Sequence, residues 1–323
     1  MKKLLLNSCL GLAVLCCPFS CVSAWAKTVV IALCYSNPDY AVSSKVFEEG
    51  LTKEFKIRKS ALEVIHIDTN GDKELFIAKI KEFEPKADLF FVAGTPNAVL
   101  LKEAGITKPV LFTAVADPVS AKLVDKLDKP GGNFTGNHCA VPEDRQLTML
   151  LLVAPKTQKI GLLYTPGDIA AASQIEAWKN AIKAKNKEYV EIPIPDSVSS
   201  EEEMAATAKA AAGKVDVIVT VAENKVSQLG AGVIAAAKDM HIPYYSSLLQ
   251  LVEKGALAGL GFDFSATAKL SVTQARSILN GASCASMAVI TFPKYRFLIN
   301  AATAKALGIV IRSDVKSAAE IIE

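Results

Sequence analysis

Two stretches of this chain end alike. Residues 32–39 read ALCYSNPD and residues 162–168 read LLYTPGD. Each closes an apolar run with a tyrosine, Tyr35 or Tyr164, and each places an aspartate four residues later, Asp39 or Asp168. The first phrase opens a series of apolar strand-like runs at 28–33, 62–67, 87–94 and 109–115, separated by helix-like patterns at 42–55, 73–83 and 96–103. The second opens another such series. Its strand-like runs lie at 159–164, 189–194, 215–221 and 242–247. Its helix patterns cover 169–184, a stretch running from the Ser200 cap and its three glutamates through the alanines to Gly213, and 226–240. Apolar strands joined by helices belong to parallel sheets covered on both faces. The spacing therefore predicts an α/β protein with two doubly wound parallel-sheet domains, and the repeated phrase marks the end of the first strand in each.

Such sheets bind ligands beyond the carboxyl ends of their strands. Two of those edges set face to face form a cleft. The loops expected to line it are 34–40, 93–97, 114–118, 164–169, 221–225 and 245–249. The pattern changes after Gly261, with a helix at 265–280 and a strand, MAVITF, at 287–292. The chain is expected to cross between lobes near 138–142, 259–264 and 284–292. That gives one lobe of 27–138 plus 264–286 and another of 139–263 plus 287–323. Several crossings make a hinge on which the cleft can close.

The first 26 residues read as an export signal. Lys2 and Lys3 precede an apolar core from Leu4 to Cys17, and Ala24-Trp25-Ala26 is a small-x-small cleavage site before Lys27. A lipoprotein signal, with Cys17 or Cys21 lipidated, is the competing reading, although the residues before either cysteine fit a lipobox poorly. Removing 26 of 323 residues leaves a mature chain of 297, enough for two ordinary domains. Losing Lys2 and Lys3 leaves 34 basic against 33 acidic residues, a balance that gives no support for nucleic-acid binding. Four of the seven cysteines fall in the signal, and Cys34, Cys139 and Cys284 are expected to be buried hydrophobes, with one bridge as the alternative.

No catalytic or nucleotide-binding signature is present: the chain has no GxGxxG after a strand, no GxxxxGK[ST], GxSxG, HExxH or CxxC. No cofactor is expected. His66, His138 and His241 are scattered, and each reads as structural. Asp117-Pro118 is a good helix start, but it also stands at the expected cleft edge. Tyr35 and Tyr164 stand at strand ends, where rings can wall a pocket.

At residues 115–137, VADPVSAKLVDKLDKPGGNFTGN, the chain resembles the extracytoplasmic substrate-binding proteins of ABC importers, in the family that includes tryptophan- and tyrosine-binding members. APKTQKIGLLYTPGD (154–168), IPYYSS, EKGALAGLGFDF and LINAATAKALGI (298–309) carry the resemblance through the mature chain. It implies a type I periplasmic-binding-protein fold, no catalysis, an aromatic or other small amino acid as ligand, and an ABC permease in the inner membrane as partner. It further implies a periplasmic monomer. An exported sensor that presents its ligand to a receptor without transport is the alternative. The chain departs from the family in two places. Ala222-Glu223-Asn224 stands where Thr-Asp-Asn is frequent, and Gly261-Phe262-Asp263-Phe264 keeps an aspartate but lacks the usual tyrosine hydroxyl.

For such a ligand, the expected carboxylate partners are Ser36, Thr95 and Ser247, at helix starts. The ammonium partner is Asp117 or Glu223, because a desolvated cation needs an acid. The ring partner is Tyr35 or Tyr164. Asn37, Thr165, Asn224 and Asp263, in or beside the same loops, complete the candidate set.

Overall fold

The computed structural model describes residues 26–323. The expected signal falls almost wholly outside the described residues. The first lobe is built from β1 (Lys27–Leu33), α1 (Pro38–Ile57), β2 (Leu62–Asp68), α2 (Lys73–Phe83), β3 (Leu89–Ala93), α3 (Thr95–Glu103), β4 (Val110–Val115) and β5 (Phe134–His138). The chain then passes to the second lobe: α4 (Glu143–Val153), β6 (Lys159–Tyr164), α5 (Ile169–Ala184), β7 (Glu188–Pro193), α6 (Glu201–Lys209), β8 (Val217–Thr220), α7 (Asn224–Met240), β9 (Tyr244–Ser246), α8 (Leu249–Glu253) and β10 (Ala258–Gly261). It returns for α9 (Phe264–Leu279) and β11 (Ile290–Thr291). It ends in the second lobe with β12 (Arg296–Asn300), α10 (Ala301–Ala306), α11 (Ser313–Ala318) and β13 (Glu320–Ile322).

The two sheets are wound alike. Strand order is β11-β5-β4-β3-β1-β2 in the first and β13-β12-β10-β9-β8-β6-β7 in the second. Every pairing is parallel except β10 with β12. Strand order reverses between β1 and β3 in one sheet and between β6 and β8 in the other. Those two switch points are where such sheets bind ligands. Both faces of each sheet are buried, as the apolar strands require. Val30, Ala32, Phe90 and Val92 pack on one side of the first sheet, and Val29, Ile31, Leu89 and Phe91 on the other. Leu162, Val217 and Val219 pack on one side of the second, and Leu163 and Ile218 on the other.

One expectation needs correction. The strand pattern at 287–292 does not join the second lobe. Ile290 and Thr291 pair with Asn137 and His138 of β5, so the third crossing lies between β11 and β12. Its run of apolar residues suits either sheet, and pairing with the free edge of β5 decides which. The crossings are tied together: Phe292 N donates to the His138 carbonyl (3.2 Å), and Tyr295 Oη donates to the Ala140 carbonyl (3.1 Å). α6 also ends at Lys209, short of Gly213, with turns following. The three mature cysteines are free and buried.

α9 begins directly after the second crossing and is pinned to the first sheet by a buried polar network. Asn137 Nδ2 donates to Ser271 Oγ (2.8 Å), Thr113 Oγ1 to Asn137 Oδ1 (2.8 Å), and Gln274 Nε2 to the Gly136 carbonyl (2.9 Å). Bonds of this kind fix the angle at which a helix leaves a hinge, because a shift would leave buried groups unpaired.

Candidate functional site

The cleft lies between the two switch points. Asn37, closing the β1–α1 loop, caps α1 by accepting from Tyr40 N (2.9 Å). Asp168 caps α5 in the same way, accepting from Ala171 N (2.9 Å). The equivalent residues of the two lobes are therefore Asn37 and Asp168, and the two tyrosines of the repeated phrase are out of register by two. Tyr35 stands in the loop, while Tyr164 is the last residue of β6. Tyr164 Oη donates to Glu191 (2.6 Å) on neighbouring β7 and lines none of the cavities described below, so it is not a cleft wall.

Between the lobes is a void of about 390 Å³, counted to its mouth. Asn37, Asp39, Tyr40 and Thr95 line it from the first lobe, and Glu223, Ser227, Phe262 and Phe264 from the second and its exit. Its walls carry two buried carboxylates. Glu223 Oε1 accepts from Thr165 Oγ1 (2.8 Å), and Oε2 from Thr165 N (3.0 Å). Burial pushes its pKa up to about 7, against the lowering effect of those two bonds. Asp39, in the first turn of α1, accepts from Ser227 Oγ (2.9 Å) and Gln250 Nε2 (2.8 Å) of the opposite lobe. Burial raises it to about 6. Among the described residues lining the void, none is basic. α3 starts on Gly94 with no side-chain cap, so its first N–H groups are open to an anion. Gly94 has φ +88°, and a Cβ there would meet the Tyr40 ring at 2.1 Å, so only glycine lets Tyr40 lie against this helix start. Phe262 and Phe264 stand edge to face with centroids 5.3 Å apart.

The lobes are drawn together over this void. Besides the Asp39 bonds, Asn37 Nδ2 donates to Asn224 Oδ1 (2.8 Å) and Gln228 Nε2 to the Ser36 carbonyl (2.7 Å). All these bonds join the start of α1 to α7 and α8.

Of the residues expected from sequence, Asn37, Thr95 and Glu223 meet in the cavity. Tyr35, Thr165 and Asn224 line an outer vestibule on the side of α3 and α5. Ser36 contributes its carbonyl to the lobe contact. The Ser247 hydroxyl is buried without a hydrogen-bond partner, and Ser247 is not among the residues lining the cavity. Asp263 caps α9, accepting from Ser265 N (2.8 Å). Asp117 accepts from Ser120 Oγ (2.6 Å) and from two backbone N–H groups, and it lies outside the cavity, beside the hinge. Burial opposes and these bonds favour its charge, and the net effect lowers its pKa. Asp39 and Tyr40 fall within the expected 34–40 loop but were not among the candidate site residues. The signal available was position, since the first turn after a switch-point loop points into the cleft. Among the described residues, no three His, Cys, Asp or Glu side chains gather as a metal site, and no helix is long and apolar enough to cross a membrane.

Comparison with known proteins identifies the family and the fold. A tyrosine-binding protein of Clostridioides difficile is 31% identical over 222 residues, covering 69% of this chain and 63% of that protein's length. The match thus spans less than two thirds of that relative. An ABC domain of Streptococcus pneumonia solved with L-Trp superposes with a TM-score of 0.84 at 26% identity, over 92% of this chain and all of that one. The ligand-free, open structure of a Clostridium difficile substrate-binding protein with adhesive properties superposes with a TM-score of 0.72 at 28% identity, over 92% of this chain and 99% of that one. Residues 28–322 match the family described as ABC transporter substrate binding protein, and the chain belongs to that family.

Proposed function

We propose that this protein captures an amino acid with an aromatic side chain between its lobes outside the cytoplasm and delivers it to an ABC permease of the inner membrane. It acts as a periplasmic monomer, released by cleavage after Ala26, and it catalyses no reaction. The observation that carries this reading is the pair of buried carboxylates, Asp39 and Glu223, in a void whose described lining holds no base. A buried carboxylate with no cation beside it is costly even when hydrogen-bonded, and a ligand ammonium offsets that cost. The open start of α3 supplies N–H groups for the ligand carboxylate. Phe262, Phe264 and Tyr40 supply faces for a ring. The tyrosine-binding relative and the L-Trp complex support the same ligand class.

A thermal-shift screen of residues 27–323 against the amino acids and a panel of sugars tests it. A ligand that binds only the native state raises the unfolding midpoint. Aromatic amino acids should raise it most. A rise with sugars and none with amino acids would overturn the ligand class.

A further inference from the structure

A second void belongs to the second lobe alone. It measures about 1060 Å³ counted to its mouth and lies between the last turn of α7, the exit of α8 and the helix α10. None of its lining residues lines the cleft void or the vestibule. Its floor is apolar and half-buried, from Ile234, Ile242 and Leu307.

Most polar groups of its wall already have partners. Thr303 Oγ1 donates to the Gly255 carbonyl (2.9 Å), and Tyr244 Oη shares a hydrogen bond with Thr220 Oγ1 (2.8 Å). His241 Nδ1 donates to the Lys238 carbonyl (3.0 Å). What remains is the Nε2 edge of His241 and the ammonium groups of Lys238 and Lys254, all three residues being exposed at the rim. Neither lysine forms an ion pair among the described residues. Asp239, the neighbour of Lys238, pairs with Lys209 instead (2.7 Å). Among the described residues lining this void, none is acidic. The charge is the reverse of the cleft's, where two acids stand with no base.

We infer that this void is a second binding site, for a small organic anion: a carboxylate on an apolar body. The body lies on the floor of Ile234, Ile242 and Leu307, and the carboxylate sits between Lys238 and Lys254. Ligand sites are apolar hollows in which a few polar groups fix orientation, and here the groups left to do so are cations. A neutral apolar molecule gains only the floor. A bare anion gains only a screened attraction at an exposed rim. A molecule carrying both gains both. The site shares no residue with the cleft, so it stands whatever the cleft holds.

Titration calorimetry of residues 27–323 at low salt, with octanoate, its neutral isostere octanamide and acetate, tests it. Wild type should bind octanoate about fivefold more tightly than octanamide, the scale for two exposed ion pairs, and acetate should bind too weakly to measure. Added salt should narrow the preference for octanoate. Lys238→Gln combined with Lys254→Gln should bring octanoate down to the level of octanamide. Ala306→Trp fills the void from an exposed position on α10, so it need not disturb the core. It should weaken octanoate about tenfold or more while the ligand-free unfolding midpoint stays put. Octanoate that gives no heat with wild type, equal affinity for octanoate and either control, or wild-type octanoate affinity in the double-lysine or the filled variant would each overturn the site. The amino-acid reading of the cleft would stand in every case.

Discussion

Glu223 stands at the start of α7 with both carboxylate oxygens on Thr165 and no cation beside it in the cavity. If it pairs with the ligand ammonium, Glu223→Gln should weaken amino-acid binding by roughly 2 kcal/mol or more, the range for truncating one partner of a buried charge pair. The same change should raise ligand-free stability at pH 8, because a neutral amide escapes the cost of a buried charge. Wild-type affinity in the variant would remove Glu223 from the site. The raised pKa values have a second consequence. Burial lifts Asp39 to about 6 and Glu223 to about 7, above their unfolded values. Between about pH 4 and those values the closed, empty protein therefore holds more protons than the unfolded chain, and its stability falls as pH rises through that window. An arriving ammonium favours the ionised carboxylate, so binding near pH 6 should release protons, and at pH 8 it should not. Calorimetry at pH 6 in two buffers of different ionisation enthalpy reads this directly, and equal heats in both would contradict it. The sequence made Glu223 legible as an acid at a strand end. It did not reveal which tyrosine faces the cleft, because the repeated phrase aligns by letters and not by strand end. Tyr164 ends β6, whereas Leu33 ends β1, and the ring that reaches the cavity belongs to Tyr40.

The alternation of strand and helix was readable from β1 to β4 and from β6 to β9, since fully buried parallel strands are written as unbroken apolar runs and the helices between them carry their own caps, whereas β5, α4, α8, β10 and the elements after β11 were not read from the pattern. Asp72, Asp168 and Ser200 each cap the helix that the pattern places there. What local pattern does not contain is sheet membership. β11 has two residues, and its place depends on the free edge of β5, a fact of tertiary pairing. Nor does it contain backbone strain. Ala114, at the end of β4 where the register with β5 slips, has φ +56° and lines the cavity. An L-residue there costs about 1–2 kcal/mol relative to right-handed backbone, and glycine escapes most of it. Ala114→Gly should therefore raise the urea midpoint, with an unchanged m-value. A lower midpoint would show that the alanine methyl, and not the backbone, dominates at this position.

The whole molecule is two lobes, three crossings and a seam of hydrogen bonds from α1 to α7 and α8. That seam joins Ser36, Asn37 and Asp39 to Asn224, Ser227, Gln228 and Gln250. None of these bonds could be inferred from the chain alone, because they exist only when the lobes meet. The doubling of the fold and the six loops at its centre were legible, and five of the six loops supply residues to the cavity. The seam leaves the acids of the cleft buried with neutral hydrogen-bond donors and no salt bridge, so ligand and closure should depend on each other: the empty protein favours opening and the loaded one favours the arrangement described here. Small-angle scattering of residues 27–323, with and without a saturating aromatic amino acid, tests this most directly. The radius of gyration should fall on adding ligand, to the value calculated for the closed lobes. An identical profile in both conditions, with binding verified by calorimetry in the same buffer, would contradict capture by closure.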